Sequence, residues 1–323
     1  MRAIQVHSAG GPDVLSIEET DTPEPEAGQV RINIAAAGVN FIDTYHRGGL
    51  YPMEYPFTPG VEAAGVVSAL GEGVAEVSLG DRVAIVGTMG AYAESFVIPA
   101  DRCVVVPDEV ELDIAAAAML QAMTAHYLVT DTYPLRPGDT CLIHAGAGGT
   151  GNLAIQMAKQ SGATVFTTVG TEAKAEIAAT AGADHVINYS ESDFVEEVRA
   201  ISGSERPLDV VYDGVGASVF DQNMSLLRKR GLMATFGNAS GAVPPVAPLD
   251  LMAAGSIFLT RPTLFDYIET RDELVTRAND VFSRISDGSI NVRIGGRYAL
   301  EDAAQAHEDL EGRKTTGKLL LIP

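Results

Sequence analysis

The sequence predicts an α/β protein with two domains, a compact antiparallel β-domain of barrel type and a doubly wound parallel sheet covered by helices. Three observations support this fold class. The chain has 323 residues, more than one hydrophobic core usually serves. Residues 1–120 are rich in Gly, Pro and Val and suggest short strands joined by turns. From Arg136 onward, apolar strands alternate with helices, which is typical of a parallel sheet.

The β-domain is predicted from strand-like stretches separated by turn signals: "QVRINIAAAGVN", "EAAGVVSAL" and "LGDRVAIVG". The Ala-rich segment Glu111–Tyr133 has few helix breakers and predicts one or two helices. A polar helix is expected from Asp266 to about Asp287, and a last strand, Lys318–Ile322, is expected to rejoin the β-domain. The expected domains are therefore 1–120, completed by 266–323, and 121–265.

The parallel sheet is predicted from six apolar strands: "DTCLIHAG", "ATVFTTVG", "DHVINY", "LDVVYDGVG", "GLMATFGN" and "SIFLTR". Helices separate the first four strands, and each of these helices is closed by a glycine. In the third helix, "ESDFVEEVRAISG", the spacing predicts that Phe194, Val198 and Ile201 face inward.

The segment "HAGAGGTG" contains Gly146, Gly148 and Gly151 in the spacing G-x-G-x-x-G. Alone, this spacing also fits an ordinary tight turn. Here it follows the first strand of a βαβ unit and opens a helix. In that setting, glycines let backbone N–H groups approach a pyrophosphate at the helix N-terminus. The loop therefore predicts dinucleotide binding.

The end of the second strand distinguishes the two nicotinamide cofactors. NAD-binding proteins place a carboxylate there for the ribose hydroxyls, but this chain has Val169, Gly170 and Thr171. A hydroxyl at Thr171, an ammonium at Lys174 and a phenol at Tyr189 suit a 2′-phosphate, although Glu172 beside them is a contrary sign, and Lys174 and Tyr189 could be ordinary surface residues. The pattern favours NADPH.

Charge and composition limit the classes of partner. The formal net charge of -21 disfavours nucleic acid and anionic membranes at long range. Two cysteines without a C-x-x-C pair predict neither a disulfide framework nor a thiolate-rich zinc site. The N-terminal stretch has no apolar signal region, and the uncharged apolar stretches are interrupted before a membrane span's length. The expected compartment is the cytoplasm.

The chain resembles the zinc-independent quinone oxidoreductases of the medium-chain dehydrogenase/reductase superfamily, the zeta-crystallin-like group. The matching segments span nearly the whole chain: "GGPDVL", "GVNFIDTYHRGGLYP", "PGVEAAGVV", "GDRV", "HAGAGGTG", "GTEAK", "VINYSESD", "VVYDGVG", "RGLMATFGNASGAV", "LTRPT" and "TTGKLLLIP". The resemblance implies a GroES-like β-barrel catalytic domain, a Rossmann doubly wound parallel-sheet domain and a homodimer.

The resemblance also implies the residues that contact NADPH. In this sequence they are Asn40, Phe41, Tyr45, Thr124, Ala147, Gly148, Gly149, Thr150, Gly170, Lys174, Tyr189, Gly214, Phe236, Gly237, Asn238, Phe258, Leu259 and Arg313. Zinc-dependent relatives carry a Cys and a His as ligands at two positions that Asn40 and Val61 occupy here. Because both ligands are missing together, and the six histidines show no ligand spacing, we expect no catalytic metal.

The expected chemistry is hydride delivery from the nicotinamide to an electrophilic acceptor, a quinone or a conjugated carbonyl. Tyr45, Tyr51 and Asn40 are the candidate catalytic residues, because charge develops on the acceptor oxygen and a donor can stabilise it. Each could instead be scaffold, and His46 and Arg47 beside them could be exposed loop residues. Two other functions stay open: an alkenal or enoyl-thioester reductase, and a non-enzymatic protein that retains NADPH. The acidic charge argues against a CoA thioester and against RNA.

Overall fold

The computed structural model describes all 323 residues, which form two compact units. Unit 1 comprises Met1–Met123 and Tyr267–Pro323, and unit 2 comprises Thr124–Asp266. The sequence placed the division after residue 120 and before residue 266. The change from unit 1 to unit 2 falls inside a helix, Leu112–Tyr127, rather than in a linker.

The N-terminal part of unit 1 is mainly β-structure. Its strands are β1 (Arg2–Gln5), β2 (Ser16–Glu19), β3 (Gln29–Val39), β4 (Glu62–Leu70), β5 (Arg82–Val86), β6 (Ser95–Pro99) and β7 (Val104–Val105). Helix α1 (Phe41–Arg47) follows β3 directly, and helix α2 (Leu112–Tyr127) leads into unit 2 through a π-helical turn.

Unit 2 alternates strands and helices. Its elements are β8 (Thr140–His144), α3 (Gly149–Gln160), β9 (Thr164–Val169), α4 (Glu172–Thr180), β10 (His185–Asn188), α5 (Phe194–Ser202), β11 (Leu208–Asp213), α6 (Phe220–Leu226), β12 (Leu227–Thr235), α7 (Pro248–Ala253) and β13 (Phe258–Thr260). The chain then returns to unit 1 with α8 (Arg271–Ser286), β14 (Ile294–Ala299), α9 (Ala303–Glu311) and β15 (Lys318–Ile322).

The main sheet of unit 1 pairs in the order β14-β15-β3-β4-β5-β7, with β6 also on β3. The eleven residues of β3 are long enough to hold β4 on one edge and both β6 and β15 on the other. As expected, the final strand β15 rejoins the N-terminal sheet. Side chains such as Ile32, Ile85 and Leu321 form the core beneath it.

The sheet of unit 2 has six parallel strands in the order β10-β9-β8-β11-β12-β13. Counting from β8, this is the order 3-2-1-4-5-6 of dinucleotide-binding folds, so the predicted Rossmann sheet and its six strands are confirmed. The strand order reverses between β8 and β11. Ligands of such sheets bind outside the carboxyl ends of the strands at this switch point.

Three expectations about helices need correction. Ile201 is 45% exposed, whereas Phe194 and Val198 are buried, because Ile201 lies in the last turn of α5, one residue before the helix ends at Ser202. Helix α8 begins at Arg271 rather than Asp266, because the Thr270 hydroxyl accepts a hydrogen bond from the Glu273 N–H in a capping box. The short helices α1, α6, α7 and α9 were not predicted.

The apolar segment Leu112–Thr132 is long and apolar enough to cross a membrane by composition alone. In the structure, 67% of its most apolar window is buried inside the protein, which is typical of a core helix. The uncharged runs within this segment are each shorter than a membrane span, whereas the whole helix reaches that length.

Candidate active site

The glycine loop connects β8 to α3 at the switch point of the parallel sheet. A Cβ on Gly146 would collide with the Thr167 hydroxyl, and one on Gly151 would collide with the backbone carbonyl of Ala145. Gly146 and Gly151 are therefore required for packing between strand and helix. At Gly148 the nearest atom would be 3.1 Å from an added Cβ, so packing constrains this glycine less. Its position suits close approach of a pyrophosphate to the backbone.

The N-terminus of α3 offers backbone donors to an anion. Gly148 is the N-cap residue, no side chain caps the first turn, and no acidic residue lies in it. The first N–H groups of a helix have no partner within the helix, and the helix dipole favours negative charge there. Ala147, Gly148, Gly149 and Thr150 thus form a cradle that fits the pyrophosphate of a dinucleotide.

His144, which ends β8, is a structural residue. Its ring is buried, with Nδ1 2.8 Å from the Thr168 hydroxyl and Nε2 2.7 Å from Asn223 Oδ1. Burial lowers the pKa of His144 below the usual histidine value. Its side chain therefore holds β8 to β9 and α6 as a neutral group.

The ends of β9 and β10 bring Gly170 and Tyr189 together. An added Cβ on Gly170 would lie 2.6 Å from the Tyr189 hydroxyl, so Gly170 leaves the room that this phenol occupies. The Tyr189 N–H donates to the Val169 carbonyl over 3.0 Å, and Tyr189 remains 48% exposed. Thr171 caps α4 by accepting from the Lys174 N–H, which places Lys174 in the first helical turn. Val169 itself is buried.

The loops after β11 and β12 lie in close contact at the same edge of the sheet. The Phe236 N–H donates to the Asp213 carbonyl over 2.8 Å, and an added Cβ on Gly237 would collide with the Gly214 backbone. Gly214, Phe236, Gly237 and Asn238 are therefore neighbours beside the switch point. Thr124, also predicted as a contact, is buried on α2.

Phe258 and Leu259, unlike the predicted contacts described above, lie within a strand rather than in a loop after one. In β13 they pair with Leu232 and Met233, so Phe258 lies three strand positions, about 10 Å, before the residue that ends β12. Phe258 is also 61% exposed at the edge of the sheet. The structure does not bring Phe258 to the carboxyl edge where Gly237 lies. Arg313 lies in unit 1, in the exposed turn after α9.

A depression of about 470 Å³ between α4, β10 and α5 is not suited to a phosphate. Its lining includes four glutamates among apolar and polar residues. The glutamates are Glu172, Glu176, Glu191 and Glu197. A cluster of carboxylates repels a phosphate group. The residues predicted from the sequence to hold the 2′-phosphate, Gly170, Lys174 and Tyr189, do not line this depression.

In unit 1, the segment from Asn40 to Tyr51 forms an aromatic cluster. The ring centroids of Phe41 and Tyr45 are 6.4 Å apart, and those of Tyr45 and Tyr51 are 5.5 Å apart in an edge-to-face arrangement. The Tyr51 N–H donates to the Tyr45 carbonyl over 3.2 Å. Both tyrosines are half-buried.

Asn40 is buried, and its side chain is fixed by hydrogen bonds within the protein. It is 3% exposed, and its amide N–H groups donate to Glu62 Oε2 over 2.8 Å and to the Gly38 carbonyl over 3.2 Å. Its Oδ1 accepts from Lys318 Nζ over 2.6 Å. Because both amide protons are engaged within the protein, Asn40 has no free donor for an acceptor oxygen and anchors the start of α1 instead.

Glu62 and Lys318, which were not predicted from the sequence, form a fully buried ion pair beside Asn40. Glu62 Oε1 also accepts the Leu120 N–H over 2.5 Å. An added Cβ on Gly38 would collide with both charged side chains, so only glycine fits at that position. Each residue is a lone charge at the start of an apolar strand, and that signal could have identified them.

The comparisons with known proteins agree with this architecture. Residues 26–108 match the alcohol dehydrogenase GroES-like domain, and residues 149–282 match the zinc-binding dehydrogenase model. Together with the glycine loop, these matches define a dehydrogenase/reductase of the medium-chain superfamily.

The relatives define the family within that class. A quinone oxidoreductase of Salmonella typhimurium is 45% identical over 324 residues, covering 99% of each chain. The crystal structure of Escherichia coli quinone oxidoreductase complexed with NADPH superimposes with a TM-score of 0.97 at 43% identity, covering 100% of both chains. A 2-haloacrylate reductase of Burkholderia is 41% identical over 329 residues, covering 99% of this chain and 98% of its own. The chain belongs to the quinone oxidoreductase family.

Proposed function

We propose that this protein catalyses the NADPH-dependent reduction of quinones by direct hydride transfer, without a metal ion. The observation that carries the proposal is the uncapped glycine-loop helix at the switch point, with Gly170 and Tyr189 at the adenosine side. This arrangement occurs in a chain that matches quinone oxidoreductases over its whole length. When bound, NADPH supplies a hydride to the quinone, which also takes up a proton and becomes a hydroquinone.

We assign the binding of NADPH mainly to the domain of residues 121–265. Ala147, Gly148, Gly149 and Thr150 hold the pyrophosphate through backbone donors. Gly170, Lys174 and Tyr189 hold the 2′-phosphate, because an ammonium and a phenol can donate to it. The remaining contacts proposed for this domain are Thr124, Gly214, Phe236, Gly237, Asn238, Leu259 and, less well placed, Phe258.

We assign the acceptor side to the domain of residues 1–120, completed by 266–323. Tyr45 and Tyr51 are the proposed donors toward the acceptor oxygen, since their phenols lie on the half-buried face of the aromatic cluster. Phe41 and Arg313 are proposed cofactor contacts. Asn40 acts by orienting α1, because its own amide protons are engaged with Glu62 and Gly38.

The test of the proposed function is NADPH oxidation, followed by absorbance, against a panel of quinones, enals, enoyl-CoA thioesters and 2-haloacrylate. We expect kcat/KM for the best quinone to exceed that for every double-bond substrate by at least about tenfold. The similarity to a 2-haloacrylate reductase makes double-bond reduction the second candidate. A higher kcat/KM for an enal, an enoyl thioester or 2-haloacrylate would establish that candidate instead.

Chelation is expected to leave the activity unchanged. Asn40 and Val61 stand where zinc-dependent relatives carry ligands, and no group of three His, Cys, Asp or Glu side chains is placed to hold a metal ion. Dialysis against a strong chelator should therefore preserve kcat, while a zinc-dependent alcohol dehydrogenase treated in parallel loses activity. Stoichiometric zinc in the active protein, together with loss of activity on its removal, would contradict the proposal.

We further propose a homodimer formed through β13, in a cytoplasmic protein without nucleic-acid or membrane partners. Strand β13 is an edge of the sheet, and Phe258, Leu249 and Met252 near it are 61%, 69% and 62% exposed. An exposed apolar edge is an aggregation hazard, which pairing of two copies across a two-fold axis removes.

Sedimentation at micromolar concentration is expected to show the dimer, and Phe258→Asp is expected to produce monomers by placing two carboxylates at the interface. Ile201→Asp is the matched control, because Ile201 is an exposed apolar residue on α5. A monomeric wild-type protein, or equal dissociation in the two variants, would refute this interface.

A further inference from the structure

Helix α1 has an unusual buried face. Its buried side chains are Asp43, Thr44 and Arg47, while Phe41 and Tyr45 are only half-buried. A surface helix normally packs an apolar stripe against the core, and apolar contacts tolerate small shifts in orientation. Hydrogen bonds are directional, so polar anchors define the orientation of this seven-residue helix more closely.

A chain of hydrogen bonds runs from Arg47 to Asp43 through two residues distant in sequence. Arg47 Nη1 lies 3.1 Å from His307 Nδ1, His307 Nε2 lies 3.1 Å from the Tyr92 hydroxyl, and that hydroxyl lies 3.0 Å from Asp43 Oδ2. Tyr92 and His307 are completely buried. Arg47 is fixed in turn by the Glu311 carboxylate over 2.9 and 3.0 Å and by the Gly10 carbonyl over 3.1 Å.

Donor chemistry gives the chain one direction. A guanidinium can only donate, so His307 Nδ1 must accept and the ring proton must be on Nε2. Nε2–H then donates to the Tyr92 oxygen, which leaves the Tyr92 O–H to donate to Asp43. Burial lowers the pKa of His307 to about 3, so the ring stays neutral in this tautomer.

Asp43 receives the end of the chain. Its Oδ2 also accepts the Asn40 N–H over 2.8 Å, whereas its Oδ1 is buried without a hydrogen-bond partner. The charged or titratable groups that face it are Tyr92, Lys318 on β15 and Glu62 on β4. Burial raises the pKa of Asp43 to about 7, against the opposing effects of the hydrogen bonds and of Lys318.

We propose that Arg47, His307 and Tyr92 are positioning residues for the reduction reaction. Together they hold Asp43 through a directed hydrogen-bond chain and so set the orientation in which α1 presents Phe41 and Tyr45. This inference rests on the proposed function, because it gives α1 the acceptor side of the site. None of these three residues touches the substrate, and each acts through Asp43.

The proposal predicts a pH profile. The ionised carboxylate is the stronger acceptor for the Tyr92 hydroxyl and the Asn40 N–H, so kcat should rise as pH increases through about 7. Tyr92→Phe removes a hydrogen bond that favours the carboxylate. The inflection in kcat should therefore move upward by about one pH unit, which lowers kcat at pH 7 by about fivefold. The Kd of NADPH should stay within about twofold of wild type, since unit 2 supplies most of its contacts.

Substitutions of His307 separate the directed chain from simple packing. In His307→Gln, the amide oxygen can accept from Arg47 while the amide nitrogen donates to Tyr92, so the profile should remain close to wild type. In His307→Leu both partners lose their hydrogen bond to the ring, and the inflection should move upward as in Tyr92→Phe but less far, because the Tyr92 hydroxyl still donates to Asp43. A wild-type profile in Tyr92→Phe, or equal damage in the Gln and Leu variants, would overturn the proposal.

The tautomer provides a readout that does not depend on turnover. Nitrogen-15 NMR of labelled wild-type protein should show His307 protonated on Nε2 between about pH 5 and 9. Protonation on Nδ1 would refute the directed chain even if no quinone is reduced. The kinetic comparison uses the acceptor that the wild-type protein reduces fastest, so preference for an enal would contradict the proposed function and leave this test intact.

Discussion

Replacement of Lys318 by methionine is expected to lower the free energy of unfolding by about 3–5 kcal/mol. Lys318 and Glu62 are fully buried and paired, and Lys318 also donates to Asn40. Burial lowers the pKa of Lys318, while its interaction with Glu62 opposes that effect. Removing the ammonium leaves a carboxylate inside the protein without its counter-charge, which costs more than the lost contact alone. Urea denaturation measures the change.

Two further variants test whether the uncompensated charge is the cause. Lys314→Met also replaces a lysine by methionine, four residues earlier in the sequence. Because Lys314 is 71% exposed and its Nζ lies 3.8 Å from Asp309 Oδ1, the free energy of unfolding should change by no more than about 0.5 kcal/mol. Adding Glu62→Gln to Lys318→Met removes the orphaned charge and should restore more than half of the lost stability. If Lys318→Met alone were as stable as wild type, Glu62 and Lys318 would not form a buried ion pair in solution.

Lys174→Ala is expected to weaken NADPH binding by about ten- to a hundredfold while leaving NADH almost unchanged. In the proposed binding mode the glycine loop contacts the pyrophosphate that both cofactors share, so it cannot distinguish them. We therefore assign discrimination between the cofactors to the edge beside Gly170 and Tyr189, where no carboxylate follows β9. A charge-assisted hydrogen bond from Lys174 to the 2′-phosphate is worth about 1.5–3 kcal/mol. Fluorescence titration with each cofactor measures both affinities.

Lys229→Ala is the matched control, because Lys229 is an exposed lysine of the same unit, early in β12. Both variants remove one positive charge from a chain of net charge -21, so a general electrostatic effect would appear in both. Equal weakening of NADPH and NADH by Lys174→Ala, or wild-type protein that binds both equally, would show that the 2′-phosphate lies elsewhere. Introducing Asp at Val169 is a poorer test, since Val169 is 2% exposed and the new carboxylate would be buried.

The regular part of the fold follows from local sequence patterns. Each strand of the parallel sheet is a short apolar run, and the first three helices between the strands end at Gly162, Gly182 and Gly203. The glycine loop was identified in the same way, because its function needs a fixed spacing within eight residues. Short helices escaped detection, since α1 has seven residues and α7 has six, too few to establish a periodicity.

The sequence by itself determined the α/β class, the sheet of unit 2, the position of the glycine loop and, through resemblance, the family of this protein. Only the tertiary structure revealed the Glu62–Lys318 pair, whose members are 256 residues apart, and the chain that joins Arg47 to His307 across 260 residues. It also revealed that Asn40 has no free amide proton and that Phe258 lies on an exposed edge. The physical reason is the range of the interactions. Periodicity and turn chemistry act between neighbours in sequence, whereas buried charges and strand registers depend on which distant segments the fold brings together.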